Sequence, residues 1–536
     1  MAEVSNRSQG WGWAALAAAL VLLDASLTFR NLWPTPAVRW NGELSMELAV
    51  CIGLMALATR RFLRPSRLAI RGLTMLWVVL VISRYADVTT PALYGREVNL
   101  YWDVRHVSAV AAMLARAASS WLVILVVAAV VLIPAILYAI LRPALGRIGT
   151  AMERPAERRV LEFLAAGILV LYAGQQLSTR LPRIPRFATP ITATYVRQAQ
   201  LAAAALTAAP TRIGAPAVLR PDLARVQGAD VFLVFIESYG AVSYDRPSFV
   251  ADLASSRARL DADIRGTGRN VVSAFVESPT FGGNSWLAHV SLLSGVEVRD
   301  EDTNVLLMAE KRDTMVTAFA QRGYRTLAIM PGLHESWPEG TFYGFNEIYD
   351  EDRLNYRGPP FGWWSVPDQF VIARLDALAR GGTSHAPVFA FFPTTNTHTP
   401  FSPTPPYQPD WPRVVTEEPY DEAELQRAWE QYPDWLNLGP SYAHALSYTY
   451  QTLGGYLRLR ADRDFVMILL GDHQPPAVVS GEGASWEVPV HVIASRKEVL
   501  DSLMAQGFQP GLFPHHPAVS RMNALLPILL AAFSGG

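Results

Sequence analysis

The sequence predicts an N-terminal α-helical membrane domain followed by an α/β domain with a mostly parallel sheet. Three observations carry this. Five apolar runs crowd the first 177 residues. From Asp230 onward the pattern changes to short apolar runs of strand length that end in polar residues, with helical segments between them. The composition agrees: 51% of residues are hydrophobic and 17% charged, too apolar for an average soluble enzyme.

The apolar runs have cores at 12–28, 48–58, 72–82, 120–141 and 160–176. A membrane span needs about 20 apolar residues. The first, fourth and fifth runs reach this alone, and the second and third do so when flanking residues are counted. The first is not a cleavable signal, because its basic flank is weak, Asp24 interrupts it and further spans follow. Arg60, Arg61, Arg64, Arg67 and Arg71 follow the second run, and Arg142, Arg147, Arg154, Arg158 and Arg159 follow the fourth. The positive-inside rule puts both clusters in the cytoplasm. Five spans then leave everything after about residue 178 outside. The segment 83–119 is also expected outside. Its Tyr85, Tyr94, Tyr101 and Trp102, mixed with Arg84, Asp87, Asp103, Arg105 and His106, suit the headgroup layer.

The expected domains are a five-span membrane domain at 1–177, a linker at 178–225 and an outer domain at 226–536. Within the linker, Pro-rich 181–190 leads to an Ala-rich helix near 195–209 and a turn-rich hinge at 211–221. In the outer domain, strands are expected at 231–236, 326–330, 388–392, 465–470 and 488–493. Helices are expected at 247–266, 313–322, 369–378 and 441–460. Ligands of such sheets bind beyond the carboxyl ends of the strands. Glu237, His334, His398, Asp472 and His473 all occupy that position. The net charge of −1 gives no ground for nucleic-acid binding, and the single Cys51 excludes an intramolecular disulfide and a CxxC motif.

The stretch Phe281-Gly282-Gly283-Asn284-Ser285 opens with a glycine turn. Leu287, Val290, Ser291 and Ser294 follow at helical spacing, which places Ser285 near a helix N-terminus. Unpaired N–H groups and the dipole there favour an anion, so the hydroxyl suits a phosphoryl nucleophile; a plain helix cap is the alternative. Glu237, Asp472 and His473 together offer a divalent-cation site that Ser285 completes. Mixed oxygen and nitrogen ligation suits Mn²⁺ or Zn²⁺ better than Ca²⁺, with Mg²⁺ also compatible. Such an ion lowers the pKa of the hydroxyl.

His398, within Thr397-His398-Thr399-Pro400-Phe401, is placed to hold a phosphoryl oxygen or protonate a leaving group. His334 and Tyr343 belong to a loop long enough to wall a pocket, and His289 lies one helical turn beyond Ser285. His515 and His516 read as surface. The aromatics Trp337, Tyr343, Phe345, Tyr349, Tyr356, Phe361, Trp363 and Trp364 read equally as the packing of a long loop or as a wall for lipid or glycan.

With these residues assembled, the chain resembles the alkaline phosphatase/sulfatase superfamily. Within it, the chain looks most like the membrane-anchored lipoteichoic acid synthase and phosphoethanolamine transferase branch. Val234-Phe235-Ile236-Glu237-Ser238 resembles the first metal-binding strand end. Gly283-Asn284-Ser285, with its helix to Leu293-Ser294-Gly295, resembles the nucleophile helix. His398-Thr399-Pro400-Phe401 resembles the substrate loop, and Gly471-Asp472-His473 the closing metal pair. The resemblance implies Glu237, Asp472, His473 and the nucleophile as metal ligands, with His334 and His398 touching the phospho-group.

Two departures stand out. The transferase branch usually carries threonine as nucleophile, and an alternative alignment puts Asn284 there; asparagine cannot attack, so Ser285 is the choice. Sulfatases require Cys or Ser followed by x-Pro-x-Arg, whereas Trp286-Leu287-Ala288-His289 follows here, which argues against sulfatase chemistry.

The expected activity is metal-dependent transfer of phosphoglycerol or phosphoethanolamine from a membrane phospholipid to a glycan or lipid hydroxyl, through a phosphoserine. The expected location is a bacterial inner membrane with the catalytic domain in the periplasm. A membrane-anchored hydrolase and a non-catalytic binding or assembly module are the alternatives. The headgroup, the acceptor and the oligomeric state are not encoded in any motif.

Overall fold

The computed structural model describes residues 2–32, 35–61, 66–94, 120–177, 184–207, 218–333, 339–362, 365–381 and 386–535, with isolated positions between them. The chain forms two compact units. The first reaches Thr207 and the second holds the C-terminal part.

The first unit contains α1 (Ala2–Thr28), α2 (Met46–Arg60), α3 (Arg67–Tyr94), α4 (Ser120–Glu153), α5 (Pro155–Leu177) and α6 (Ile191–Thr207). Among the described residues, α1, α3, α4 and α5 are long and apolar enough to cross a membrane. The expectation of five spans is therefore met by four. The second run folds as α2, whose 15 residues rise about 22 Å, short of a hydrocarbon core of about 30 Å. Ser45 starts this helix late by accepting from the Leu48 amide at 3.2 Å.

The third run is the middle of a much longer helix. α3 continues to Tyr94, through the start of the segment expected to be a loop. There Arg84 is buried, donating to the carbonyls of Phe29 and Thr189 at 3.2 and 3.1 Å. Tyr101, Trp102, Arg105 and His106 lie outside the described residues, as does most of the predicted hinge.

The arginine-rich turn between the last two spans is also tighter than expected, since α4 ends at Glu153 and α5 begins at Pro155. Arg147 and Arg154 both pair with Glu157, at 2.7 and 2.9 Å, and Arg60 reaches Glu162 at 2.6 Å. These arginines thus tie helices together. Leu23, Trp77, Leu145, Ile148 and Leu161 form the interior of the unit, while Val130, Val131 and Phe163 point outward. Helices apolar on both their inner and outer faces are those that meet lipid.

The second unit is built on a nine-stranded sheet. Its strands are β1 (Asp230–Ile236), β2 (Asn270–Glu277), β3 (Arg325–Ile329), β4 (Glu347–Tyr349), β5 (Val388–Pro393), β6 (Phe465–Gly471), β7 (Glu487–Ala494), β8 (Gln509–Pro510) and β9 (Ser520–Arg521). The order is β8-β2-β7-β6-β1-β5-β3-β4, with β9 on β2. Strands β6, β1, β5, β3 and β4 are mutually parallel; β7 is antiparallel to both β6 and β2.

Alternation along β1 explains the two cores. Val231, Leu233 and Phe235 face one helical layer, which includes α7 (Ser285–Ser294) and the C-terminal helix Met522–Phe533. Phe232, Val234 and Ile236 face the other, which includes Pro247–Gly266 and Gly439–Leu459. Strand β2 was not expected from the sequence. Ser273 interrupts its apolar run, but that hydroxyl is buried and satisfied by His491 Nδ1 at 2.6 Å and the Gly511 carbonyl at 2.5 Å.

Candidate active site

The site forms where β1 and β6 end. The two strands are parallel neighbours, and Ile236 stands opposite Gly471. The next residue of each strand is a carboxylate, Glu237 and Asp472, so register alone brings the two acids together. Gly471 is required at this point, because a Cβ there would meet the backbone carbonyl of Tyr239. On the other flank of β1, Thr394 at the end of β5 accepts from the Glu237 amide at 3.1 Å. This brings the His398 loop to the same edge.

Ser285 arrives by a strap. Ser278 Oγ donates to the Asp472 carbonyl at 2.5 Å, and the Gly282 amide donates to the Gln474 carbonyl at 3.1 Å. Asn284 then takes a left-handed conformation (φ 60°) as helix cap, and α7 starts at Ser285. Asn284 is exposed and Ser285 half-buried. Ser285 Oγ donates to Glu237 Oε2 at 2.7 Å and lies 3.2 Å from His473 Nε2. Of the two positions the alternative alignments offered, the site thus receives Ser285.

Glu237, Asp472 and His473 each present a ligand atom within 4.8 Å of the others, and all three are buried. Asp472 Oδ1 accepts the amides of Ser238 at 2.8 Å and His473 at 2.6 Å, while its Oδ2 is buried with no hydrogen-bond partner. An orphaned buried carboxylate oxygen is costly unless something satisfies it. His473 Nδ1 is held by the Gln474 carbonyl at 2.7 Å, which aims Nε2 at Ser285 and Glu237. A ligating histidine is commonly oriented through its second nitrogen in this way. Two buried carboxylates, an imidazole and a hydroxyl fit a divalent cation.

The electrostatics of the ion-free cluster point the same way. At Glu237 burial opposes ionisation, but His473 outweighs it and holds the carboxyl below the usual range. At Asp472 burial, and then the Glu237 charge, push the carboxyl well up. At His473 burial opposes the charged form, but Asp472 and Glu237 overcome it and raise the pKa to about 9. A metal held by His473 would displace that proton.

The other expected residues divide. His398 lies close enough to favour the ionised Glu237, with its Nδ1 engaged by the Thr399 carbonyl at 2.7 Å. His289 belongs to the interior. It packs edge-on against Phe235 and Phe391, and burial lowers its pKa to about 3, so the ring is neutral. Tyr343 is likewise core, packed on Trp337, Phe342 and Phe345. Both of these expected substrate contacts thus have their rings packed among aromatic side chains of the layer beneath the sheet. Of the crowded aromatics, Tyr343 and Phe361 pack inside. His334, Trp363 and Trp364 lie outside the described residues. His516 is exposed as expected, and there it lies between Asp245 and Glu487 and stacks on Phe275.

Sequence reasoning missed Asp368. Buried at the start of the helix Asp368–Arg380, it accepts the amides of Thr395 and Asn396 at 2.8 and 3.1 Å. It thereby shapes the loop that carries His398. No sequence pattern announces it, because its partners are backbone amides from a loop 27 residues away.

Residues 293–492 match the family model described as Sulfatase. The match takes in His398, Asp472 and His473 but begins just after Ser285. None of the curated proteins matches the sequence. Among solved structures, the chain is similar to the lipooligosaccharide phosphoethanolamine transferase A of Neisseria meningitidis: 15% identity, 91% of this chain and 96% of that one, TM-score 0.46. It is also similar to the lipoteichoic acid synthase LtaP of Listeria monocytogenes, at 13% identity over 60% and 78% of the two chains and a TM-score of 0.38. The phosphoglycerol transferase GacH of Streptococcus pyogenes is similar at 13% identity over 58% and 76%, with a TM-score of 0.35. Residues 293–492 thus carry a sulfatase-like domain.

Proposed function

We propose that the protein transfers a phospho-alcohol headgroup, phosphoglycerol or phosphoethanolamine, from a membrane phospholipid to a hydroxyl of a glycan or lipid. The observation that carries this is the placement of Ser285 Oγ at a helix N-terminus, 2.7 Å from Glu237 Oε2 and 3.2 Å from His473 Nε2. Glu237, Asp472, His473 and Ser285 would hold one divalent cation, Mn²⁺, Zn²⁺ or Mg²⁺. Bound there, it would lower the pKa of the hydroxyl and polarise a phosphoryl oxygen.

With its proton already released to water, Ser285 Oγ forms the new bond to phosphorus as the alkoxide, while the P–O bond to diacylglycerol breaks and the leaving oxygen takes its electron pair. His398 donates the proton that the leaving oxygen needs. The helix N-terminus at Ser285 offers N–H groups to the phosphoryl oxygens. In the second half the acceptor hydroxyl loses its proton to His398, attacks the phosphoserine and regenerates Ser285. The apolar helices of the first unit suit a lipid donor. The reading includes a bacterial inner membrane with residues 226–536 on its periplasmic side.

Ser285→Ala tests this directly. Transfer from a phospholipid donor should fall at least about 1,000-fold even with metal supplied in excess, so that the three remaining ligands stay loaded. A labelled donor should leave a phosphoryl group on Ser285 of the parent protein. Full activity in the variant would sink the scheme. Release of free phosphoglycerol or phosphoethanolamine without any acceptor would instead make water the physiological acceptor.

A further inference from the structure

The second unit displays one dense apolar cluster that its core does not use. Trp429, Tyr432, Trp435 and Leu436 fall within eight residues and are 41%, 84%, 54% and 73% exposed. Other large exposed apolar residues described in this unit, such as Val305, Val415, Met504 and Phe513, stand singly along the chain.

The loop is held rigidly at its base. Ala428 is buried at its start and Leu438 at its end. Trp429 Nε1 donates to the Pro360 carbonyl at 3.1 Å. The Leu436 amide donates to Asp434 Oδ1 at 2.9 Å, closing a tight turn. Ser402 Oγ donates to the Gln431 carbonyl, and the Thr404 amide to Gln431 Oε1 at 3.4 Å. Ser402 and Thr404 lie just beyond His398. The same staple that presents the apolar side chains therefore anchors them to the loop of the candidate active site.

We propose that this loop is an interfacial anchor that inserts Tyr432, Trp435 and Leu436 into the headgroup layer of the bilayer, so that a lipid phosphate can reach the strand-end site. The inference rests on the proposed lipid donor. Three features select a lipid surface as the occupant. The chain carries four helices suited to span a membrane, so a bilayer is always within reach. Trp and Tyr with an aliphatic neighbour are the residues that partition to the membrane interface, apolar body inward and polar edge outward. Glu430 and Asp434 flank them, and these carboxylates suit the ammonium groups of zwitterionic headgroups.

The test uses the full chain with its single cysteine removed (Cys51→Ser). A fluorophore is placed through Leu436→Cys, or through Gln506→Cys as an exposed control. The protein is reconstituted in nanodiscs of phosphatidylethanolamine and phosphatidylglycerol that carry a nitroxide near the headgroup. The probe at 436 should be blue-shifted, quenched by the nitroxide and protected from iodide, and the probe at 506 should not. Equal iodide access at both sites would overturn the proposal. So would protection at 436 that arises only when two copies share a disc, which would assign the patch to a second copy.

A triple variant, Tyr432→Ser, Trp435→Ser and Leu436→Ser, adds an activity readout. Turnover of a bilayer phospholipid should fall about tenfold, while turnover of a water-soluble headgroup phosphodiester is unchanged. Equal losses on both substrates would overturn the anchor. If the probe at 436 inserts but Ser285→Ala keeps its activity, the anchor stands and the proposed reaction falls.

Discussion

Asp472→Asn separates the metal-binding reading from a merely structural one, because the structure predicts opposite effects with and without the ion. The substitution keeps the acceptor at Oδ1, which binds the amides of Ser238 and His473, and replaces the orphaned Oδ2 by an NH₂. In the ion-free protein Asp472 and Glu237 lie within 4.8 Å. Two such charges repel by about 3 kcal/mol at an effective dielectric of about 20. Burial and this repulsion raise the Asp472 carboxyl.

A raised acid contributes stability that is fully present below its unfolded value, about pH 3.9, and is lost as pH climbs through its folded value. The asparagine variant has no such loss. Ion-free, it should match the parent at low pH and exceed it at alkaline pH by up to about 3 kcal/mol. With metal the order reverses. A cation at 100 times its Kd stabilises the parent by about 2.7 kcal/mol, a rise of about 5 °C in a large domain, and the variant gains little. Thermal unfolding of the full chain across pH, with chelator and with Mn²⁺ or Zn²⁺, reads both arms, and elemental analysis counts the bound ion. Equal metal-induced shifts and equal metal content in both proteins would refute Asp472 as a ligand.

Three further outcomes follow from the same geometry. Gly471→Ala drives a methyl against the Tyr239 carbonyl and Val488; it should cost about 1–3 kcal/mol and reduce metal content, and unchanged metal occupancy would show that the close approach does not position Asp472. At the left-handed cap, Asn284→Gly should keep activity within a few-fold, whereas Asn284→Val should lose about 1–2 kcal/mol in denaturant melts; a large activity loss in the glycine variant would return a chemical role to that position. Burial raises Asp368 to about 7 against the hydrogen bonds from Thr395 and Asn396. Its contribution to the ion-free protein is therefore present below about pH 4 and lost as pH rises through about 7, up to about 4 kcal/mol. Asp368→Asn should flatten that part of the stability profile, and an unaltered slope would mean another group titrates there.

Much of the site was legible because its parts are local. Glu237 follows an unbroken apolar run, Asp472 and His473 follow another, and a run buried on both faces declares a central parallel strand wherever it occurs. The glycine turn before Ser285 and the helical spacing after it place the hydroxyl at a helix start, and α7 begins there. What was not legible depended on distant partners. His289 has the spacing to reach the site from Ser285, but Phe235 and Phe391, from two strands, enclose its ring. Asp368 looks like any acid at a helix start until the Thr395–Asn396 amides fold onto it. Among the described residues the span count comes to four for a related reason: apolarity marks α2, but where Ser45 caps it decides its length.

The sequence by itself determined the division into an apolar helical part and an α/β part, the parallel centre of the sheet and the candidate metal ligands to be tested. These follow from hydrophobic periodicity and from residue chemistry, which neighbours along the chain suffice to express. Only the tertiary structure decided that Ile236 stands opposite Gly471, that the 278–284 strap delivers Ser285 rather than Asn284 to the two acids, and that one oxygen of Asp472 is left without a partner. Those are matters of strand register and of hydrogen bonds between segments nearly 200 residues apart, and they exist only once the chain has closed on itself.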